Sequence, residues 1–137
     1  MSSTNRFVLT VLLAASAACR GEGPRAGVEI AEPVDGAQLA EPSVKGVLAA
    51  SGIEIAPASE ERPGTGHHHL FVDRDPVPPG DTIPQGVTGI IHLGRAQTEF
   101  TLENLAPGEH RVIAVLANFA HVALDPPAVD TVRFTVR

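Results

Sequence analysis

Only one cysteine, Cys19, occurs in the 137 residues, and Trp and Tyr are absent. A lone thiol cannot close an internal disulfide, so Cys19 needs another explanation. Lys45 is the only lysine, and ten basic residues against sixteen acidic ones leave a formal charge of −6. Phosphate contacts require clustered Lys/Arg and single strands require stacking aromatics, so nucleic acid is excluded as a partner. Anionic lipid surfaces are disfavoured for the same electrostatic reason, and sugar polymers lack their usual aromatic platforms. No Gly-rich phosphate loop follows a strand, and neither a Gly-x-Ser-x-Gly elbow nor a His-Glu-x-x-His helix is present. Ser43, Ser51 and Ser59 have no recognisable catalytic setting. The chain therefore reads as non-catalytic.

What is there begins with the N-terminus. Arg6 precedes Phe7–Ala18, a twelve-residue and almost wholly apolar run. A permanent bilayer span needs about 20 apolar residues, so this run predicts a secretion signal over residues 1–18. Ser16-Ala17-Ala18-Cys19 resembles the bacterial lipobox, in which small residues precede a cysteine that is acylated and becomes the first mature residue. That resemblance makes Cys19 a lipidation site and places the mature chain on the periplasmic side of the cell envelope. Arg20 rather than Asp after the cysteine implies outer-membrane sorting. Ordinary cleavage after Ala18 is the alternative. Cleavage removes only Arg6 among the charges, leaving nine basic and sixteen acidic residues and a formal charge of −7. The membrane is then a partner through its N-terminal lipid.

Residues 19–26, with Gly21, Gly23 and Pro24, read as a flexible tether. Residues 27–137 have the length of one domain with a single core. The period within them is two. Thr131–Arg137 alternates throughout, with Val132, Phe134 and Val136 on one face and Thr/Arg on the other, as a half-buried strand does. Shorter β-rich stretches lie at 28–31, 44–48, 53–55, 67–73, 87–93, 98–102 and 110–116, separated by Pro- and Gly-rich punctuation. Seven or eight strands at this spacing predict an all-β antiparallel sandwich. The opening Val28–Gly36 and the later Leu105–Leu116 resemble the first and penultimate strands of immunoglobulin-like modules. In such modules a tyrosine often stands where His110 does, bonding back to the corner backbone.

Six histidines carry whatever chemistry the chain has: His67, His68, His69, His92, His110 and His121. On a strand, His67, His69 and Phe71 share one face, while His68, Leu70 and Val72 share the other, which Leu70 and Val72 make the inner one. Imidazoles at i and i+2 on one face lie close enough to share an ion. His67, His69, His92 and His121 are thus the candidate metal ligands, with Asp73 or Asp125 as further donors. Imidazole suits copper(II) and zinc, whereas copper(I) transport prefers sulfur donors. His110 is set aside as a corner residue. The competing reading makes every histidine structural and the sandwich a recognition module. Its partner, a protein or polymer, would then dock on the loops at 76–85 and 120–127.

Gly64-Thr-Gly-His-His-His-Leu70, with His92-Leu-Gly-Arg-Ala-Gln-Thr-Glu99, Pro107-Gly-Glu-His110 and His121 ahead of Asp125-Pro-Pro127, resembles the bacterial family termed domain of unknown function 4399. The likeness runs from about Val28 to Val136. It implies an exported or lipid-anchored β domain and supplies no reaction.

Overall fold

A computed structural model describes residues 24–137; the segment predicted to be a secretion signal, residues 1–18, and the predicted lipidation site Cys19 lie outside the described residues. Among the described residues nine strands follow in order: β1 Gly27–Glu32, β2 Ala37–Leu39, β3 Val44–Ser51, β4 Glu54–Ile55, β5 Thr65–Val72, β6 Ile90–Leu93, β7 Glu99–Leu102, β8 Gly108–Ala117 and β9 Val129–Val136. Among the described residues no helix is long and apolar enough to cross a membrane.

One sheet has the order β1-β3-β7 and the other runs β2-β9-β8-β5, with β4 and β6 both pairing the far side of β5. The chain leaves the small sheet after β1 and crosses to the large one, where β2 lies parallel to the C-terminal strand β9. This strand order is that of an immunoglobulin-like sandwich. Eight of the nine strands fall on stretches that the alternation predicted. The ninth, β2, is three residues long and too short to show a period.

Between the sheets, period-two alternation builds the main core. Ile30, Val44, Leu48, Phe100 and Leu102 come from the small sheet, and Leu70, Leu93, Val112, Ala114, Val132, Phe134 and Val136 from the large one. Each of these side chains larger than alanine stabilises the fold by about 1.5–3 kcal/mol when fully buried. Gly46 is required here, because any Cβ at that position would occupy the space of the Phe100 ring.

The large sheet is not half-buried at its centre. Every residue of β5 from Thr65 to Phe71, and of β8 from Val112 to Ala117, is buried. Its outer face carries a second apolar cluster of Phe71, Ile83, Ile113, Val115, Ala117 and Ala123. Ile83 and Ala123 arrive from the two long loops, which fold back over the sheet and bond each other there: Gly80 N–H donates to the Ala123 carbonyl at 2.9 Å, and Ala123 N–H to that of Asp81 at 2.9 Å. These loops form the roof of a second core, with Ile83 and Ala123 turned inward. That roof decides the setting of the histidines.

Candidate metal centre

His67 and His69 stand on the outer face of β5, as the i, i+2 spacing predicts. That face is not open, however: the two residues are 1% and 0% exposed. Strand register fixes the neighbours. His69 pairs across the sheet with His92 of β6, and His67 pairs with Ala117 of β8, whose methyl group leaves room beside the imidazole. The chain turns immediately after Ala117 and brings His121 over the same spot.

That turn is held at several points. The Asn118 side-chain carbonyl accepts from Ala120 N–H at 2.9 Å and from Val122 N–H at 3.1 Å. His121 N–H donates to the Asn118 backbone carbonyl at 2.9 Å, and the His121 carbonyl accepts from Ile83 N–H at 2.8 Å. His121 itself adopts φ 61°, a left-handed conformation disfavoured for a side chain with a Cβ and held here by these bonds. The loop is built to place one imidazole.

The four rings form one cluster. Centroid separations are 4.7 Å for His67–His69, 5.0 Å for His69–His92, 4.8 Å for His92–His121 and 5.0 Å for His67–His121. One ring nitrogen from each of the four lies within 4.8 Å of the others. At the rim, His92 Nε2 and His121 Nε2 are 3.2 Å apart, so in the neutral state one carries the proton and the other accepts. His67 and His69 form the floor, while His92 is exposed and His121 half-buried. Asp73 and Asp125 do not join the group of donors.

Electrostatics follow from the burial. Desolvation, reinforced by His92 and His121, pushes His67 down to about 4. Desolvation, reinforced by His67, His92 and His121, pushes His69 down to about 3. His92 is lowered by burial and then by His121. The buried rings are thus neutral with lone pairs available, the state a metal ion needs. His67 Nε2 and both nitrogens of His69 are buried without a hydrogen-bond partner among the described residues; so is His68 Nε2, but that ring lies on the opposite face of β5, away from the cluster.

The remaining two histidines behave differently. His68 faces the main core, where its Nδ1 lies 3.1 Å from the Gln97 carbonyl; burial lowers its pKa and that bond partly offsets the effect. His110 takes the corner role expected of it. Its Nε2 bonds the Ala106 carbonyl at 2.7 Å and its Nδ1 the Asp73 carboxylate at 2.7 Å. Both partners are acceptors, so the ring donates twice as an imidazolium. Burial opposes that charge, but the Ala106 carbonyl and Asp73 outweigh it and raise the pKa.

Two positions escaped the sequence reading. Gly94, two residues after His92, clears space for that ring, since a Cβ there would collide with it. Asn118 organises the His121 turn. The first had a signal in a glycine at i+2 from a ligand, and the second in an Asn opening a short loop.

The class is thus an immunoglobulin-like sandwich with a four-histidine cluster roofed against its larger sheet. Residues 47–137 match the family described as Domain of unknown function (DUF4399), and the chain belongs to it. The match begins within β3, so β1 and β2, which the sequence resemblance included, precede it. No curated protein and no solved structure matches the chain.

Proposed function

We propose that this protein is an exported, lipid-anchored domain of the cell envelope that binds one zinc or copper(II) ion through His67, His69, His92 and His121. The observation that carries the reading is the set of orphaned nitrogens on His67 and His69. A buried polar atom without a partner costs about 1–3 kcal/mol. His110 bonds through both ring nitrogens and His68 through Nδ1, leaving a single His68 nitrogen unpartnered in the main core, whereas His69 has no partner at either nitrogen and faces His67, His92 and His121. The three such atoms on His67 and His69, beside two further imidazoles, are a donor set awaiting an acceptor of lone pairs.

The dimensions suit the ion. Zn–N bonds of about 2.0–2.1 Å imply a tetrahedral N–N edge of roughly 3.3 Å. The His92–His121 separation of 3.2 Å already has that length. No two of the four donor atoms lie more than 4.8 Å apart, about 1.5 Å beyond that edge. Four imidazoles without sulfur favour copper(II) or zinc over copper(I). Four protein ligands also fill a tetrahedron, whereas catalytic zinc keeps a position open for water, which supports a non-catalytic role.

Dialysis of the tag-free chain against micromolar Zn, followed by metal analysis, should find one ion per chain. His67→Ala with His69→Ala should abolish it. Gly94→Ala, whose Cβ would meet the exposed His92 ring first, should weaken it at least tenfold with the fold intact. Less than a tenth of an equivalent on a folded wild type would refute the metal reading. Anchoring has its own check: Cys19→Ala should abolish labelling by a fatty-acid analogue and release the protein from membranes, and persistence in the membrane fraction would count against the lipid.

A further inference from the structure

The cluster is graded from floor to rim, and this bears on how an ion would move. His67 and His69 are buried on the same face of β5 as Phe71, whose cluster with Ile83, Ile113 and Ala123 packs without the ion's help. A metal that staples a fold replaces a missing core, as in zinc fingers; this domain has two cores already. His92 is exposed and is the third residue of a four-residue strand. Its ring hydrogen-bonds His121, itself carried on a turn, and otherwise rests on the rings of His67 and His69. Half of the donor set can therefore be approached from solvent while the other half cannot.

Charge points the same way. All four donors are imidazoles, none of which brings a negative charge, and Asp73, the nearest carboxylate along β5, is bonded to His110 and to Arg111 N–H at 2.8 Å. A bound dication keeps its full +2 charge within the protein, uncompensated by any ligand. An incoming anionic donor at the rim is attracted to that charge more strongly than a neutral one.

We propose that the centre is a transfer site, which passes its divalent ion across the His92/His121 rim to an acceptor carrying carboxylate donors, by ligand exchange in which the acceptor binds before the ion leaves. This rests on the metal-binding reading above and adds direction and partner chemistry to it. The exchange balances without redox chemistry. Metal–oxygen bonds to the acceptor form as metal–nitrogen bonds to His92 and then His121 break; the lone pairs stay on the imidazoles, and the ion remains divalent while His67 and His69 hold it last.

The test is stopped-flow release of Zn from the loaded full chain into excess EDTA, whose carboxylates stand for the acceptor. The observed rate should rise in proportion to EDTA concentration, and the apo protein left behind should keep its β-sheet circular dichroism. His92→Ala should speed release at least tenfold, because one rim bond no longer has to break. A rate independent of EDTA, collapse of the apo fold, or an unchanged rate in His92→Ala would each overturn the transfer role while leaving metal binding intact. Failure of the wild type to load Zn at all would instead overturn the binding reading on which it stands.

Discussion

At a hundredfold excess over its dissociation constant, Zn or copper(II) should raise the melting temperature of this chain by about 10 °C or more at pH 7.5. An ion that binds only the folded state stabilises it by RT ln(1 + [L]/Kd), roughly 2.7 kcal/mol at that excess. A domain of this size gains about 4 °C per kcal/mol. The effect should vanish in the His67→Ala/His69→Ala variant, which removes the floor. His110→Ala separates the structural histidine from the cluster. It removes the bonds to Ala106 and Asp73, so it should lower the basal melting temperature by an amount corresponding to about 1–2 kcal/mol, yet leave the metal-induced rise in place. Free histidine titrates near pH 6.5, which on its own would predict loss of the ion below about pH 6. The floor pair is held to about 4 and about 3 by burial, so part of the rise should persist at pH 5.5. No rise at pH 7.5 would leave the histidines as packing residues and make a recognition module the better account.

Much of this arrangement is legible before folding. The perfect alternation of residues 131–137 locates β9, and Pro/Gly punctuation separates most of the others. The i, i+2 spacing of His67 and His69 puts both rings on one face whatever the fold. What one stretch of sequence cannot convey is the covering of that face. A strand reading HHHLFV shows Leu70 and Val72 on one side and Phe71 on the other, and the inner side follows from the aliphatics. That the other side is roofed by Ile83 and Ala123 depends on loop bonds such as Gly80 N–H to the Ala123 carbonyl, between positions 43 residues apart. Register is hidden in the same way. His92 stands opposite His69 because β6 pairs β5 from Phe71↔Ile90 to His68↔Leu93, and a shift by one residue would have turned it away. The same long-range placement frees Asp73 from the cluster, since β8 delivers His110 and Arg111 N–H to its carboxylate.

Without metal, the protein should lose stability steeply as the pH falls from 6.5 towards 4, and the histidine floor should be the cause. An unfolded chain binds a proton on each histidine near pH 6.5, whereas the folded state binds one on His67 only at about 4 and on His69 only at about 3. Throughout that window the unfolded state holds more protons, so stability rises with pH and acid favours unfolding. At pH 5, one and a half units below the free value, each floor residue costs about 2 kcal/mol, since one pKa unit corresponds to 1.36 kcal/mol. Together they remove about 4 kcal/mol, a large part of the 5–15 kcal/mol typical of a folded domain. His92 acts in the same direction. His110 acts in the opposite one: its raised pKa gives stability that is complete below 6.5 and fades as the pH climbs through its folded value. One such residue offsets only part of the loss. Thermal melting in EDTA at pH 7.5 and pH 5.0 should therefore differ by about 10 °C or more in the wild type. In His67→Gln/His69→Gln, which cannot titrate at those positions, the melting temperature should be lower at pH 7.5 but much flatter between the two conditions. An equal slope in the two proteins would move the acid sensitivity elsewhere and show that the floor histidines do not resist protonation.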